Sequence, residues 1–367
     1  MQLRQLSKTD TNILKGLGIL CILAHNFFHW IGPIARSENE TEFKSENFFN
    51  FINAIVDNPL DSFNIIFSYL GHFGVQIFIF ISGYGLTMSM LKTAKPYKDF
   101  IIDRAIKLYP LVFVGIASHF LMTTIIFRQI IGIEGIRSLT YKMLMIHTLI
   151  PGEAMSRIGP LWFTGMIFQL YLLFPLLFKL IMQYGVKALV AISVFAYTCI
   201  YPCIYFDILP HGINIMVNSI GHLPEFCLGI LFAKSKCEKI SPGCFIVAVT
   251  LFGLGNVYKA FYPLTFISFT YIILCVYNSH IMKKINTTVI KKFFVFFGEL
   301  SMMLFAVHGV LRYPFIEMVE KANNTFYQYI FFTVFVICTI FVALGARNIY
   351  ERIVNLLASA RMRLKQK

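Results

Sequence analysis

The sequence predicts an all-α, polytopic integral membrane protein of about ten transmembrane helices, with both chain ends in the cytoplasm. Three observations carry this. The 367 residues are 57% hydrophobic and only 14% charged, with a mean hydropathy of +0.70, whereas soluble domains carry roughly 25% charged residues. Apolar runs recur at close to the ~20-residue length that a spanning helix needs. Lys and Arg collect on alternate connections between those runs, as the positive-inside rule requires.

Ten segments qualify, at 12–31, 68–91, 108–127, 160–182, 188–206, 214–233, 244–261, 263–281, 293–311 and 326–346. The first follows Arg4 and Lys8, as a signal peptide would. Its apolar stretch is too long for one and no small-residue cleavage site follows, so it reads as a retained helix. The second is aromatic and closes with S-G-Y-G at 82–85, where glycine permits close backbone approach. The third opens at Pro110. The fourth holds Pro175 and the sixth Pro224, and kinks are expected at both. An amphipathic stretch at 348–357 follows the tenth. No repeat or soluble module interrupts the series, so residues 1–367 read as a single membrane domain with a short basic tail from 347. The eight cysteines lie mostly in apolar runs without a C-x-x-C pair, and read as small packing residues, Cys199 and Cys203 included.

Orientation follows from charge. With the N-terminus inside, the inner side comprises the N-terminal arm, 92–107, 234–239, 283–292, flanking turns and the tail from Arg347; it holds 23 of the 32 Lys and Arg. The outer side holds the other 9, with 11 of the 18 Asp and Glu, among them Glu38, Glu40, Glu42 and Glu46. Even parity then places both ends inside. The net charge of +14 is accounted for by this topology and by anionic lipid, with no nucleic acid partner needed.

Two imidazoles, His25 and His29, stand one turn apart in the first span. At 1.5 Å per residue from the start of that span, His25 lies about 20 Å across a core of roughly 30 Å, nearer the outer face. A buried polar ring there is bonded to a neighbouring helix, shares a metal with His29, or does chemistry. No third metal ligand lies nearby in sequence. Arg104 and Lys107 sit at i, i+3 before Pro110, on one helical face at the inner surface. They read either as an ordinary positive-inside anchor or as a cationic clamp suited to phosphate. His308 is a second deep imidazole, near the outer end of the ninth span.

Taken in order, these segments resemble the integral-membrane acyltransferase family 3, from residue 7 to residue 357. The matching features are Lys15 and His25 in the first helix, then Phe73 through Tyr84 for the family's FGV-x-x-F-x-x-x-SG-aromatic helix. Arg104 and Lys107 follow before Tyr109 and Pro110, then Leu161, Trp162, Phe163, Tyr171 and Pro175. Gly298, Ser301 and His308 match the next helix, and Tyr350 with Glu351 a shortened final motif. Lys15 and Lys107 stand where the family usually has Arg, and Glu351 precedes Arg352-Ile353 where the family usually has Arg-Pro.

The resemblance implies O-acylation of a hydroxyl on a cell-envelope glycan or glycolipid precursor, with acyl-CoA, most often acetyl-CoA, as donor. It implies a multi-pass protein of the bacterial inner membrane and no metal. It makes His25 the catalytic base, consistent with neutral imidazole being the side chain best matched to take a hydroxyl proton near pH 7. The thioester oxyanion needs a partner, for which His308, Ser82 and Tyr84 are candidates. Arg104, Lys107 and Lys15 become candidates for holding the donor. Because the chain stops soon after the tenth span, transfer is expected without the appended extracytoplasmic esterase-like domain of some relatives. The rival reading is a proton-coupled secondary transporter with His25 and His308 in a relay. It lacks an inverted-repeat pattern, and only Glu225 and Glu299 are acidic within spans.

Overall fold

A computed structural model describes residues 2–235, 237–239, 241–279, 288–322 and 324–366. Half of the basic connection expected at 283–292, residues 283–287, therefore lies outside the described residues, as do Lys236 and Lys367. The chain is all-α apart from a short antiparallel pair, β1 (Gln2–Arg4) with β2 (Cys237–Lys239). In order the helices are α1 (Lys8–Phe28), α2 (Ser45–Asp57), α3 (Ser62–Leu70), α4 (Gly74–Lys92), α5 (Tyr97–Leu121) and α6 (Ile133–Met143). After them come α7 (Trp162–Tyr184), α8 (Val186–Phe206), α9 (Leu223–Lys234), α10 (Pro242–Val257), α11 (Leu264–Tyr277), α12 (Thr288–Ala322) and α13 (Thr325–Gln366).

Seven helical stretches among the described residues are long and apolar enough to cross a membrane: Lys8–Phe28, Pro59–Lys92, Tyr97–Ile126, Gly159–Tyr184, Val186–Phe206, Thr288–Ala322 and Thr325–Lys365. The three other expected spans are realised as shorter apolar helices. α9, α10 and α11 have 12, 16 and 14 residues, or roughly 18–24 Å at 1.5 Å per residue, less than the ~30 Å core. The sixth segment shows why. Residues 215–222 form two 3₁₀ turns, and Pro224 sits in the first turn of α9 rather than kinking a longer helix. Proline lacks an N–H and is pre-set for a helix start, so it begins this helix. Pro110 does the reverse of what its position suggested. It lies inside α5, which starts thirteen residues earlier at Tyr97 and carries the basic pair within it.

By packing, the chain divides into two units. One comprises Met1–Ala94, Phe174–Phe206 and Ser219–Glu299; the other comprises Lys95–Leu173, Asp207–Asn218 and Leu300–Lys367. In the first, Ser7 caps α1 through a reciprocal box with Asp10, satisfying two of its otherwise orphaned groups. α1 and α4 pack with Leu14, Ile77, Phe80 and Tyr84 in a core shared with Phe232 and Leu274. α4 also crosses α9 at glycines. A Cβ on Gly229 would fall on the Phe80 carbonyl oxygen, and one on Gly83 on that of Phe226. The missing side chains let two backbones meet, the packing mode that membranes favour. Gly298 of the matched ninth-span motif plays the same part against the Asn12 carbonyl.

The second unit is built on α5, α6, α13 and parts of α7 and α12. Leu139, Ile158, Leu161 and Val310 form its core. Lys142, fully buried, donates to the carbonyls of Glu153 and Ala154 at 3.3 and 3.2 Å, which ties loop 151–158 to α6.

Candidate active site and donor pocket

α1 presents His25 in its last turn, with His29 at its C-cap. The His25 ring is buried, and Nδ1 lies 3.0 Å from the Ser68 carbonyl oxygen. A carbonyl can only accept, so Nδ1 carries the hydrogen and a neutral ring keeps its lone pair on Nε2. Nε2 points toward Glu40, whose Oε2 is 3.7 Å away, an ion-pair distance and too long for a hydrogen bond. The neighbouring His29 Nδ1 lies 2.7 Å from Glu38 Oε2. His72 meets His25 edge-on, with ring centroids 5.6 Å apart. Three imidazoles and two carboxylates are thus gathered at one end of α1.

The carboxylates come from the loop after α1, and neutral groups fasten that loop. The Tyr262 hydroxyl donates to the Glu40 carbonyl at 3.0 Å, and Asn47 donates to the Glu38 carbonyl at 2.8 Å. Asn39 donates to the Tyr69 hydroxyl at 3.4 Å, which in turn donates to Asn256 at 3.0 Å. Burial by itself would push the Glu40 carboxyl up. The contact with His25 and the field of His72 and His29 overcome this and hold it down at about 2. Glu40 therefore stays ionised through the working pH range. A depressed carboxyl stabilises the fold above its unfolded value of roughly 4.3, and that contribution is lost only as pH falls toward about 2.

Beside His25 runs a polar strip. Asn64, Ser68, His72 and Gln76 recur every four residues along Pro59–Lys92 and are all buried. The Ser68 hydroxyl, both His72 nitrogens and the Gln76 carbonyl oxygen have no hydrogen-bond partner among the described residues. Unsatisfied buried polar atoms cost free energy unless a ligand or water completes them.

The other candidates have surroundings of their own. The Tyr84 hydroxyl donates to the Leu6 carbonyl at 2.8 Å. It sits twelve residues along from His72, about 18 Å of helix rise, on an α4 that runs antiparallel to α1. Ser82 is half-buried on that same stretch, and Lys15 is half-buried on α1 without an ion-pair partner among the described residues. His308 is fully buried in the second unit, its Nδ1 2.9 Å from the Phe305 and 3.1 Å from the Leu304 carbonyl oxygen of its own helix.

Arg104 and Lys107 line a cavity of about 510 Å³ in the second unit. Neither has an ion-pair partner among the described residues, and Arg104 Nε is buried without a hydrogen-bond partner. Sequence reasoning had this pair but missed Glu38, Glu40 and His72. The available signal was an acidic loop directly after an i, i+4 histidine pair, and a histidine heading the FGV motif.

A family model described as an acyltransferase domain matches residues 9–345, so the chain is a membrane-embedded acyltransferase. It belongs to acyltransferase family 3. No curated protein and no solved structure matches it.

Proposed function

We propose that the protein moves an acyl group, most simply acetyl, from acyl-CoA to a hydroxyl of a cell-envelope glycan or glycolipid precursor at the bacterial inner membrane, within one membrane domain. The observation that carries this reading is the His25 ring, with Nδ1 committed to a backbone carbonyl and Nε2 directed at Glu40. Nε2 takes the acceptor's O–H proton as that oxygen attacks the thioester carbonyl. Glu40 stabilises the imidazolium that forms. The tetrahedral oxyanion collapses, the C–S bond breaks, and the imidazolium returns its proton to the departing thiolate of CoA. His72, beside His25 with both nitrogens unpartnered among the described residues, is the N–H donor for the oxyanion in this scheme. The strip from Ser68 to Gln76 suits an acceptor rich in hydroxyls.

The test is release of CoA thiol from acetyl-CoA by the purified protein, together with the O-acetyl content of envelope glycan in cells expressing the wild type or His25→Ala. Equal O-acetylation in the two strains would refute the reading.

Arg104 and Lys107 hold the donor in this scheme, without taking part in proton transfer. Arg104→Gln should raise KM for acetyl-CoA about tenfold with kcat little changed, the mark of lost uniform binding. Lys107→Arg should be tolerated or improve KM, because guanidinium adds a bidentate fork. A fall in kcat at saturating donor with KM unmoved would exclude the clamp. Both sites also require an orientation with 92–107 inside and 32–62 outside. In a cysteine-free background, an external thiol reagent should label a cysteine placed at 42 and not one at 98; the opposite pattern would invert the topology.

A further inference from the structure

The donor cavity is not built by α5 alone. Its opposite wall is α13, at Val354, Ala358, Arg361 and Lys365, and these residues lie beyond the family match, which ends at 345. α13 is fixed along α5 at two places. The Tyr350 hydroxyl donates to the Lys107 carbonyl at 3.1 Å, and Arg361 spreads its guanidinium over Asp99 and Asp103. Its Nη2 also donates to the Asp99 carbonyl at 3.2 Å. Lys365 Nζ stands 2.8 Å from Asp99, and Lys95 Nζ 2.6 Å from Asp103.

Charge makes the cavity unusual. Lys95, Arg104, Lys107, Arg361 and Lys365 face two carboxylates, Asp99 and Asp103, an excess of three positive charges. The carboxylates are matched with Arg361, Lys365 and Lys95, while Arg104 and Lys107 have none. A pocket kept only to brace two helices would neutralise itself. This one keeps two cations unpaired at its wall, and it suits a ligand with several phosphates. The Asp pairs are partly open, with side-chain exposures of 18% for Arg361, 29% for Asp99 and 21% for Asp103. Ion pairs so placed are weak and exchangeable.

We propose that α13 completes the donor site: Arg361 and Lys365 bind the phosphates of the CoA nucleotide together with Arg104 and Lys107, and Asp99 and Asp103 hold Arg361 in waiting until those phosphates displace them. This rests on the reading of Arg104 and Lys107 as donor ligands. The guanidinium fork matches phosphate as well as it matches two carboxylates, so exchange of partners needs no large movement of the helix. The same chemistry would accept the headgroup of an anionic lipid, and the experiment separates the two.

The full-length protein, in nanodiscs of phosphatidylcholine with or without phosphatidylglycerol, is assayed with acetyl-CoA and with S-acetyl-pantetheine, which has no nucleotide phosphates. Arg361→Gln should raise KM for acetyl-CoA five- to tenfold and leave the kinetics with S-acetyl-pantetheine unchanged, in both lipid mixtures. Asp99→Asn with Asp103→Asn, which removes the competing carboxylates, should lower KM for acetyl-CoA. A simple brace predicts the opposite: both variants would lose stability and would fall equally with both donors, which overturns the proposal. A lipid site is equally distinguishable, since Arg361→Gln would then change only the response to phosphatidylglycerol. Arg104→Gln runs alongside. If it discriminates between the donors and Arg361→Gln does not, α13 is excluded while the clamp stands. If neither discriminates, both readings fall.

Discussion

His25→Ala should abolish acyl transfer while leaving expression, membrane insertion and elution as a folded particle in detergent unchanged. The ring sits at the end of α1 with one nitrogen bonded to the Ser68 carbonyl, so alanine removes the base and leaves a carbonyl that can recruit water. General-base catalysis is worth typically 10²–10⁴-fold, and the variant should lose at least the lower figure in kcat. More than about a tenth of the wild-type rate would remove His25 from the chemistry. Glu40→Gln should be milder, about 10–100-fold in kcat with donor KM unaffected, as for partners that orient and stabilise a working ring. His29→Ala should be milder still, because that ring contacts Glu38 and lies one turn from the base.

The second large effect falls on folding. Gly229→Val should prevent recovery of monodisperse protein, because its Cβ would clash with the Phe80 carbonyl oxygen and crowd the Tyr84 backbone nitrogen. Neither neighbour is a side chain that can swing away. The two helices must separate, and overpacking of this kind costs about 3 kcal/mol or more. Gly229→Ala tests the gradation and should lower the melting temperature without abolishing the folded peak. Wild-type yield and melting for the valine variant would mean that α4 and α9 do not cross at these glycines.

Much of the fold was legible because apolar run length speaks directly to a membrane solvent. Each of the ten runs holds helix among the described residues, and the S-G-Y-G segment marks a close approach whose partner is α9. The shortness of α9 was not legible: a hydropathy window registers residues 214–222 as apolar but is blind to Pro224 opening a new helix. The site divides in the same way. His25 stood out as an imidazole where lipid was expected, and Arg104 with Lys107 as a cationic face. Glu38 and Glu40 were counted only as outer-loop charge. Which carboxylate folds back on which ring is set by Tyr262, Tyr69 and Asn256, up to more than two hundred residues away. Tyr84 was a plausible donor by motif, and only the position of Leu6 reveals that its hydroxyl is already engaged.

The fastening of the loop that carries Glu40 has a consequence for the conditions the protein can tolerate. Its hydrogen bonds to Tyr262, Asn47, Asn39 and Tyr69 involve amides, a phenol pair and backbone carbonyls, none of which carries charge. Dissolved salt screens charges over a Debye length of about 8 Å at physiological ionic strength, but it has little hold on neutral, buried contacts. These neutral contacts of the loop are therefore expected to hold when the ionic strength of the medium changes. The cavity between α5 and α13 is braced instead by partly open ion pairs, which salt weakens. One chain thus uses two kinds of fastening, one insensitive to salt and one sensitive to it.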